Sequence, residues 1–312
     1  MVSGVINVRK ERGMTSVGVV SRMRKIFQQK KIGHTGTLDP DAEGVLPVCL
    51  GKATHLVETL SRGTKSYRAV LLLGVATDTQ DASGNVIREA PVISSPEEIR
   101  EAVFSFHGKQ MQMPPMYSAL KVNGKKLCDL ARRGIEVERK AREVEFSEIS
   151  VLDISIPRVT FEVTCTHGTY IRTLCHDIGE KLGCGGCMES LLRTRVEEFD
   201  LEDSLTLDEI AEKKKMADEE GRPYEFLLPI DHFYGGIPGF SVSGRALRAA
   251  LNGQGIQASE LRALCPQEGG ALPGNERPEE NRARVYTPDG ALIGIYRKEG
   301  TVYMLEQYYF EG

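Results

Sequence analysis

The 312-residue sequence predicts an α+β protein followed by a small, mostly β unit. Three observations support this. Period-two and period-3.6 hydrophobic stretches occur in mixed order, without the strand–helix–strand alternation of a parallel sheet. The length suits a large domain plus a small one better than a single ordinary core. The composition also changes near residue 232, where Gly235, Gly236, Pro238 and Gly239 read as a linker. The expected division is residues 1–232 and 237–312.

Residues 2–8 read as a strand. Thr15 or Ser16 can cap a helix carrying Val20, Met23 and Phe27 at helical spacing. From Lys31 to Lys52 the glycines and prolines Gly33, Gly36, Pro40, Gly44, Pro47 and Gly51 predict a loop. That loop is too apolar for disorder, and long loops in compact domains tend to be functional. Ser66 to Leu73 alternates as a strand with Tyr67, Ala69, Leu71 and Leu73 on one face. A turn follows at Asp81 to Gly84. Ser95-Pro96-Glu97-Glu98 is a capping box opening a helix with Ile99, Val103 and Phe106 on one face. Met111 to Leu120 contains Pro114-Pro115 and reads as extended. Val159 to Cys165 alternates as a strand, and Ile171, Leu174, Ile178 and Leu182 then switch to helical spacing. Thr206 and Glu209 form a second capping box. Beyond residue 239 come a short helix, Gly244 to Leu251, a Gly-, Pro- and Glu-rich stretch, Pro266 to Asn281, expected to be a mobile loop, and strands at 283–287, 292–297 and 301–307.

Composition narrows the class. Hydrophobic residues make up 40 % and charged residues 27 %, the balance of a soluble globular protein. No apolar run approaches the roughly 18–20 residues that span a bilayer. Met1 to Ile6 lacks the basic and long apolar regions of a signal peptide, so a cytoplasmic protein is expected. The seven cysteines are irregularly spaced and read as reduced thiols. Cys184 and Cys187, with Cys175 and His176, admit a zinc reading. A CxxC without a matched second pair favours instead a glycine turn with idle thiols. The net charge of −4 excludes a uniformly basic nucleic-acid binder but not a basic face. Two basic stretches could supply one, Arg22 to Lys31 and Lys121 to Arg142.

Asp39 is the candidate reactive group. It lies between Leu38 and Pro40, and a following proline restricts its backbone to extended shapes. A carboxylate fixed among apolar neighbours can serve as a nucleophile, although Asp-Pro is also a common turn. The segment Gly33-His34-Thr35-Gly36-Thr37-Leu38-Asp39-Pro40, with Ala42, Gly44, Leu46-Pro47 and Gly51-Lys52-Ala53-Thr54, resembles the catalytic motif of the TruB family of bacterial tRNA pseudouridine-55 synthases. Lys65 to Ala69, Pro114 to Lys121 with Gly124 to Leu127, Gly168 to Leu174, and Leu191-Leu192-Arg193-Thr194 resemble the family's later motifs in the same order.

The resemblance implies a pseudouridine synthase fold, two-lobed around a mixed, mainly antiparallel sheet, that isomerises a uridine of the tRNA T loop without cofactor or metal. Asp39 would be the essential carboxylate. Arg172 would pair with it and keep it ionised. Tyr67 would stack on the base and serve the final deprotonation at C5. Tyr170 and Leu192 would line the uracil pocket, and His34 would hold or replace a base of the RNA loop. The carboxyl-terminal segment is similar to a PUA domain and would bind RNA. The implied partner is the tRNA T stem-loop, with no membrane, no obligate protein partner and a monomeric state. Two rivals remain open at this point. Asp39-Pro40-Asp41 is a DxD, as in Mg²⁺-dependent aspartyl-phosphate enzymes, and the chain could be chiefly an RNA-binding or RNA-folding module.

Overall fold

The computed structural model describes residues 1–122, 124–264 and 281–311. Strand β1, Gly4–Lys10, leads into helix α1, Ser16–Ile26, whose first turn is capped by Thr15 accepting from the Gly18 N–H at 2.9 Å. Strands β2, Ile32–His34, and β3, Glu43–Leu50, come next. The expected loop from Lys31 to Lys52 is therefore corrected: only residues 35–42 are irregular. Gly44 and Pro47 disguised β3, but Val45, Leu46, Val48, Cys49 and Leu50 are wholly buried. A strand buried on both faces shows a continuous apolar run rather than alternation.

Strand β4, Lys65–Leu73, shows the predicted alternation, with Tyr67, Ala69, Leu71 and Leu73 buried. The main sheet runs β1, β3, Gly186–Val196, β4, Arg158–Cys165, Arg142–Ser155 and Gly108–Gln112. β3 pairs parallel with Gly186–Val196, and the other neighbours along this order are antiparallel. This is the mixed, mainly antiparallel sheet that was expected. The buried face of β4 packs with Ile99 and Val103 of helix Pro96–Phe104 and with Ile171, Leu174 and Ile178 of helix Ile171–Lys181. Both predicted capping boxes form, Ser95 with Glu98 and Thr206 with Glu209.

A second sheet of six strands contains Gly239–Ser241, Arg282–Tyr286, Leu292–Glu299 and Val302–Tyr308, and helix Gly244–Leu251 packs on it through Ala246 and Ala250. The stretch Pro266 to Asn281 lies, but for its last residue, outside the described residues. The segment read as a linker is not a tether. Phe233, Tyr234 and Ile237 are buried together with Ile295 and Tyr309 from the second sheet and Val5 and Leu56 from the first part of the chain. The Tyr234 and Tyr309 hydroxyls are 2.7 Å apart within this shared core.

Candidate active site

Residues 35–42 form part of the wall of a cleft of about 720 Å³ that is lined also by Tyr67, Asp81, Tyr170, Arg172 and Leu191 among others. Hydrogen bonds fix the loop on both sides of Asp39. The Leu38 N–H donates to the Ser16 hydroxyl oxygen at 2.9 Å, and that hydroxyl donates to the Leu38 carbonyl at 3.1 Å. The wholly buried Lys10 ammonium donates to the Pro40 carbonyl at 3.0 Å and the Ala42 carbonyl at 2.5 Å. Arg193 donates to the Gly36 and Val45 carbonyls. Gly44 has a φ of +107°, and a Cβ there would stand 2.1 Å from the Arg193 carbonyl oxygen. Only glycine fits that crossing.

Asp39 Oδ2 is 3.1 Å from Arg172 Nε, as the sequence led us to expect. Arg172 is the second residue of its helix and is 92 % covered, its side chain being 8 % exposed. Its other nitrogens are also committed. Nη1 is 3.1 Å from Asp81 Oδ2 and Nη2 donates to the Tyr117 carbonyl at 2.9 Å. Asp81 is itself held through Oδ1 by the Thr79 hydroxyl at 2.9 Å and the Ser83 N–H at 3.1 Å. The guanidinium thus bridges two carboxylates.

The electrostatic balance at Asp39 differs from the expectation. Burial in the cleft pushes its carboxyl above the usual carboxylate range, and the Arg172 guanidinium opposes this without outweighing it. Asp81 and Asp41 add to the rise. The side chain is still 42 % exposed, so water tempers the effect. Asp41 also lines the cleft, with its exposed carboxylate 3.9 Å from Arg12, whereas Asp39 and Asp81 are the two carboxylates that pair with Arg172.

Tyr67 is 7 % exposed, and burial pushes its hydroxyl upward while the neighbouring Arg193 charge opposes this. Tyr170 is the residue before its helix, and Gln112 brackets its backbone, accepting from its N–H at 2.8 Å and donating to its carbonyl at 3.0 Å. Burial raises the Tyr170 hydroxyl as well.

Two expected residues are placed differently. Leu192 does not line the cleft; Leu191 does. Leu191 and Arg193 register with Ala69 and Tyr67 of β4, whereas Leu192 registers with Arg68 on the other face. Irregular pairing at Met188/Ser190 and Arg193/Arg195 sets that phase, and a one-residue slip moves a side chain to the opposite face. His34 stands at the end of β2, off the cleft wall, where its Nδ1 accepts from the Gly36 N–H at 3.3 Å and braces the loop. Burial and the Arg193 charge hold its imidazole below the ordinary histidine range.

Sequence reasoning missed Asp81, Lys10 and Arg193. Asp81 was read only as a turn residue, and no local pattern links it to Arg172. Cys184 and Cys187 are buried, and among the described residues no three His, Cys, Asp or Glu side chains converge as a metal-binding group.

The chain matches the family model for the N-terminal domain of TruB family pseudouridylate synthases over residues 24–171. It matches the tRNA pseudouridylate synthase B C-terminal domain model over residues 172–233. The chain belongs to the TruB family of pseudouridylate synthases. Among its TruB relatives, tRNA pseudouridine synthase B of Clostridium acetobutylicum is 50 % identical over 94 % of this chain and 95 % of that protein. The protein of that name from Alkaliphilus oremlandii is 47 % identical over 83 % and 85 %. Among solved structures, a chain of a Cbf5–Nop10–Gar1 complex aligns with a TM-score of 0.67 and 27 % identity, covering 98 % of this TruB chain and 85 % of its own. A chain of an H/ACA ribonucleoprotein bound to a substrate RNA containing 2′-deoxyuridine aligns with a TM-score of 0.65 at 25 % identity, covering 99 % and 85 %. The fold of this TruB member is that of the pseudouridine synthases.

Proposed function

We propose that the chain converts a uridine of the tRNA T loop, position 55, to pseudouridine, with Asp39 as nucleophile and no cofactor. The observation that carries the reading is the placement of Asp39 on a pinned loop, in ion-pair contact with Arg172 and in one apolar-walled cleft with Tyr67, Tyr170 and Leu191. The names of the relatives supply the RNA class.

The target base must leave its stack to reach such a cleft, and aromatic and apolar walls replace the lost stacking. Asp39 attacks the ribose C1′, the N-glycosidic bond breaks, and its electron pair leaves with uracil N1. The detached uracil turns within the walls formed by Tyr67, Tyr170 and Leu191. C5 then bonds to C1′ as Asp39 departs, Tyr67, having released its own proton to water, takes the C5 proton, and N1 gains one from water. The atoms of substrate and product are the same, so no redox partner or donated group is needed. Arg172 positions Asp39 and stabilises it as it ionises again. The second sheet, PUA-like in its small β-rich form, is proposed as an additional RNA-binding surface. Among the described residues no helix is long and apolar enough to cross a membrane, and we place the activity with tRNA in the cytoplasm.

The test is to incubate the protein with an unmodified tRNA transcript and with an isolated T stem-loop, mapping pseudouridine in each. Product at the T-loop uridine of both supports the reading. Product elsewhere, or none from folded protein that still binds RNA, overturns it and favours the binding-module rival.

A further inference from the structure

Arg193 is the largest of the wholly buried side chains, 1 % exposed, and a guanidinium stays charged at any ordinary pH. It donates to the Val45 carbonyl at 2.6 Å and the Gly36 carbonyl at 3.2 Å. Among the described residues no carboxylate is paired with it, because Arg172 engages both Asp39 and Asp81. A buried charge without a counter-charge is expensive. Holding two carbonyls needs only a neutral donor, so the full charge must be weighed by what else it acts on.

It faces Tyr67. The two are register partners on adjacent antiparallel strands, and both line the cleft. Burial is the strongest influence on the Tyr67 phenol and pushes it up; the Arg193 charge opposes this and favours the ionised form, while Cys165 and Asp39 add to the rise. Lys65, also lining the cleft, is turned away, its ammonium donating to the Ser61 and Gly63 carbonyls.

We propose that Arg193 is a positioning residue for the last proton transfer, aiming the Tyr67 oxygen at C5 and stabilising negative charge on it. This rests on the reading that Tyr67 takes the C5 proton. Tyr67 gives its own proton to water. The C5–H bond of the rejoined base then breaks, the proton passes to the phenolate oxygen, and the electron pair restores the C5–C6 double bond while N1 takes a proton from water.

Arg193→Gln keeps donors for the two carbonyls and removes the charge. In single turnovers on a T stem-loop deuterated at C5 of the target uridine, Arg193→Gln is expected to slow the reaction about 100-fold, the usual scale for losing a general base. Its deuterium isotope effect should exceed that of the native protein, and the pH at which its rate rises should move upward. Placing 3-fluorotyrosine, a more acidic phenol, at position 67 of the Arg193→Gln protein should restore much of the rate. A slowed variant with the native isotope effect and pH profile, unrescued by fluorination, marks Arg193 as a loop clamp only and overturns the proposal. The same fluorination in the otherwise native protein is the second measurement. It must move the rise in rate to lower pH, and an unmoved rise refutes the proposal even if Arg193→Gln does not fold. A native protein that makes no pseudouridine defeats the functional reading instead, so the two failures are distinguishable.

Discussion

Asp81→Asn separates the two jobs of the Arg172 bridge. The substitution keeps the shape and an acceptor oxygen but removes one of the two charges that hold the guanidinium. At 3.1 Å and an effective dielectric of 20, the attraction between two unit charges is about 5 kcal/mol. Desolvation offsets part of that, and the retained hydrogen bond and the Tyr117 carbonyl preserve another part. A net loss of about 2 kcal/mol in holding Arg172 against Asp39 corresponds to a rate reduced about 30-fold. The pH dependence should change in a definite direction. Asp81 pushes the Asp39 carboxyl upward, and Asp39 acts when ionised. Removing that negative neighbour lets Asp39 ionise at lower pH, so the acid limb of the rate profile moves to lower pH while the plateau falls. Single-turnover rates on a T stem-loop from acid to neutral pH measure both. A plateau within about threefold of the native value, with an unmoved acid limb, refutes the bridge as an active-site element.

Three further outcomes follow from the same geometry. Leu191→Ala should lower the rate by widening the pocket around the uracil, whereas Leu192→Ala, on the far face, should leave the rate within a few-fold; the reverse order in a turnover assay contradicts the register. Gly44→Ala forces a Cβ into the Arg193 carbonyl at a positive φ and should cost about 3 kcal/mol or more in denaturant unfolding, so a native-like midpoint refutes the crossing. Burial pushes the Lys65 ammonium from 10.5 down to about 8, so the folded state binds fewer protons than the unfolded one between those values. Its destabilising effect is complete below pH 8 and is relieved as pH rises, adding at most roughly 3 kcal/mol to stability. Lys65→Met should lack that rise between pH 8 and pH 10 in equilibrium unfolding.

What the sequence conveyed, and what it hid, has physical causes. Ser95 with Glu98 and Thr206 with Glu209 are local devices, and both capping boxes form. β4 alternates because one face meets helices and the other does not. β3 escaped because a strand buried on both faces has no alternation and because Gly44 and Pro47 imitate a loop. The Asp39–Arg172 pair was legible only through the resemblance to a known family, since their separation in sequence carries no spacing signal. Asp81 was invisible for the same reason, being a turn residue that reaches the site only through Arg172. Leu192 was placed in the pocket in error because pairing irregularities, which sequence does not display, decide which of two adjacent leucines faces inward.

The central claim is tested most directly by incubating the purified protein, without added metal, with an unmodified tRNA transcript beside an Asp39→Ala control and mapping pseudouridine. The account predicts pseudouridine at the T-loop uridine with the native protein and none with the variant, although the variant still binds the tRNA. Product from Asp39→Ala, or no product from well-folded native protein, would contradict it.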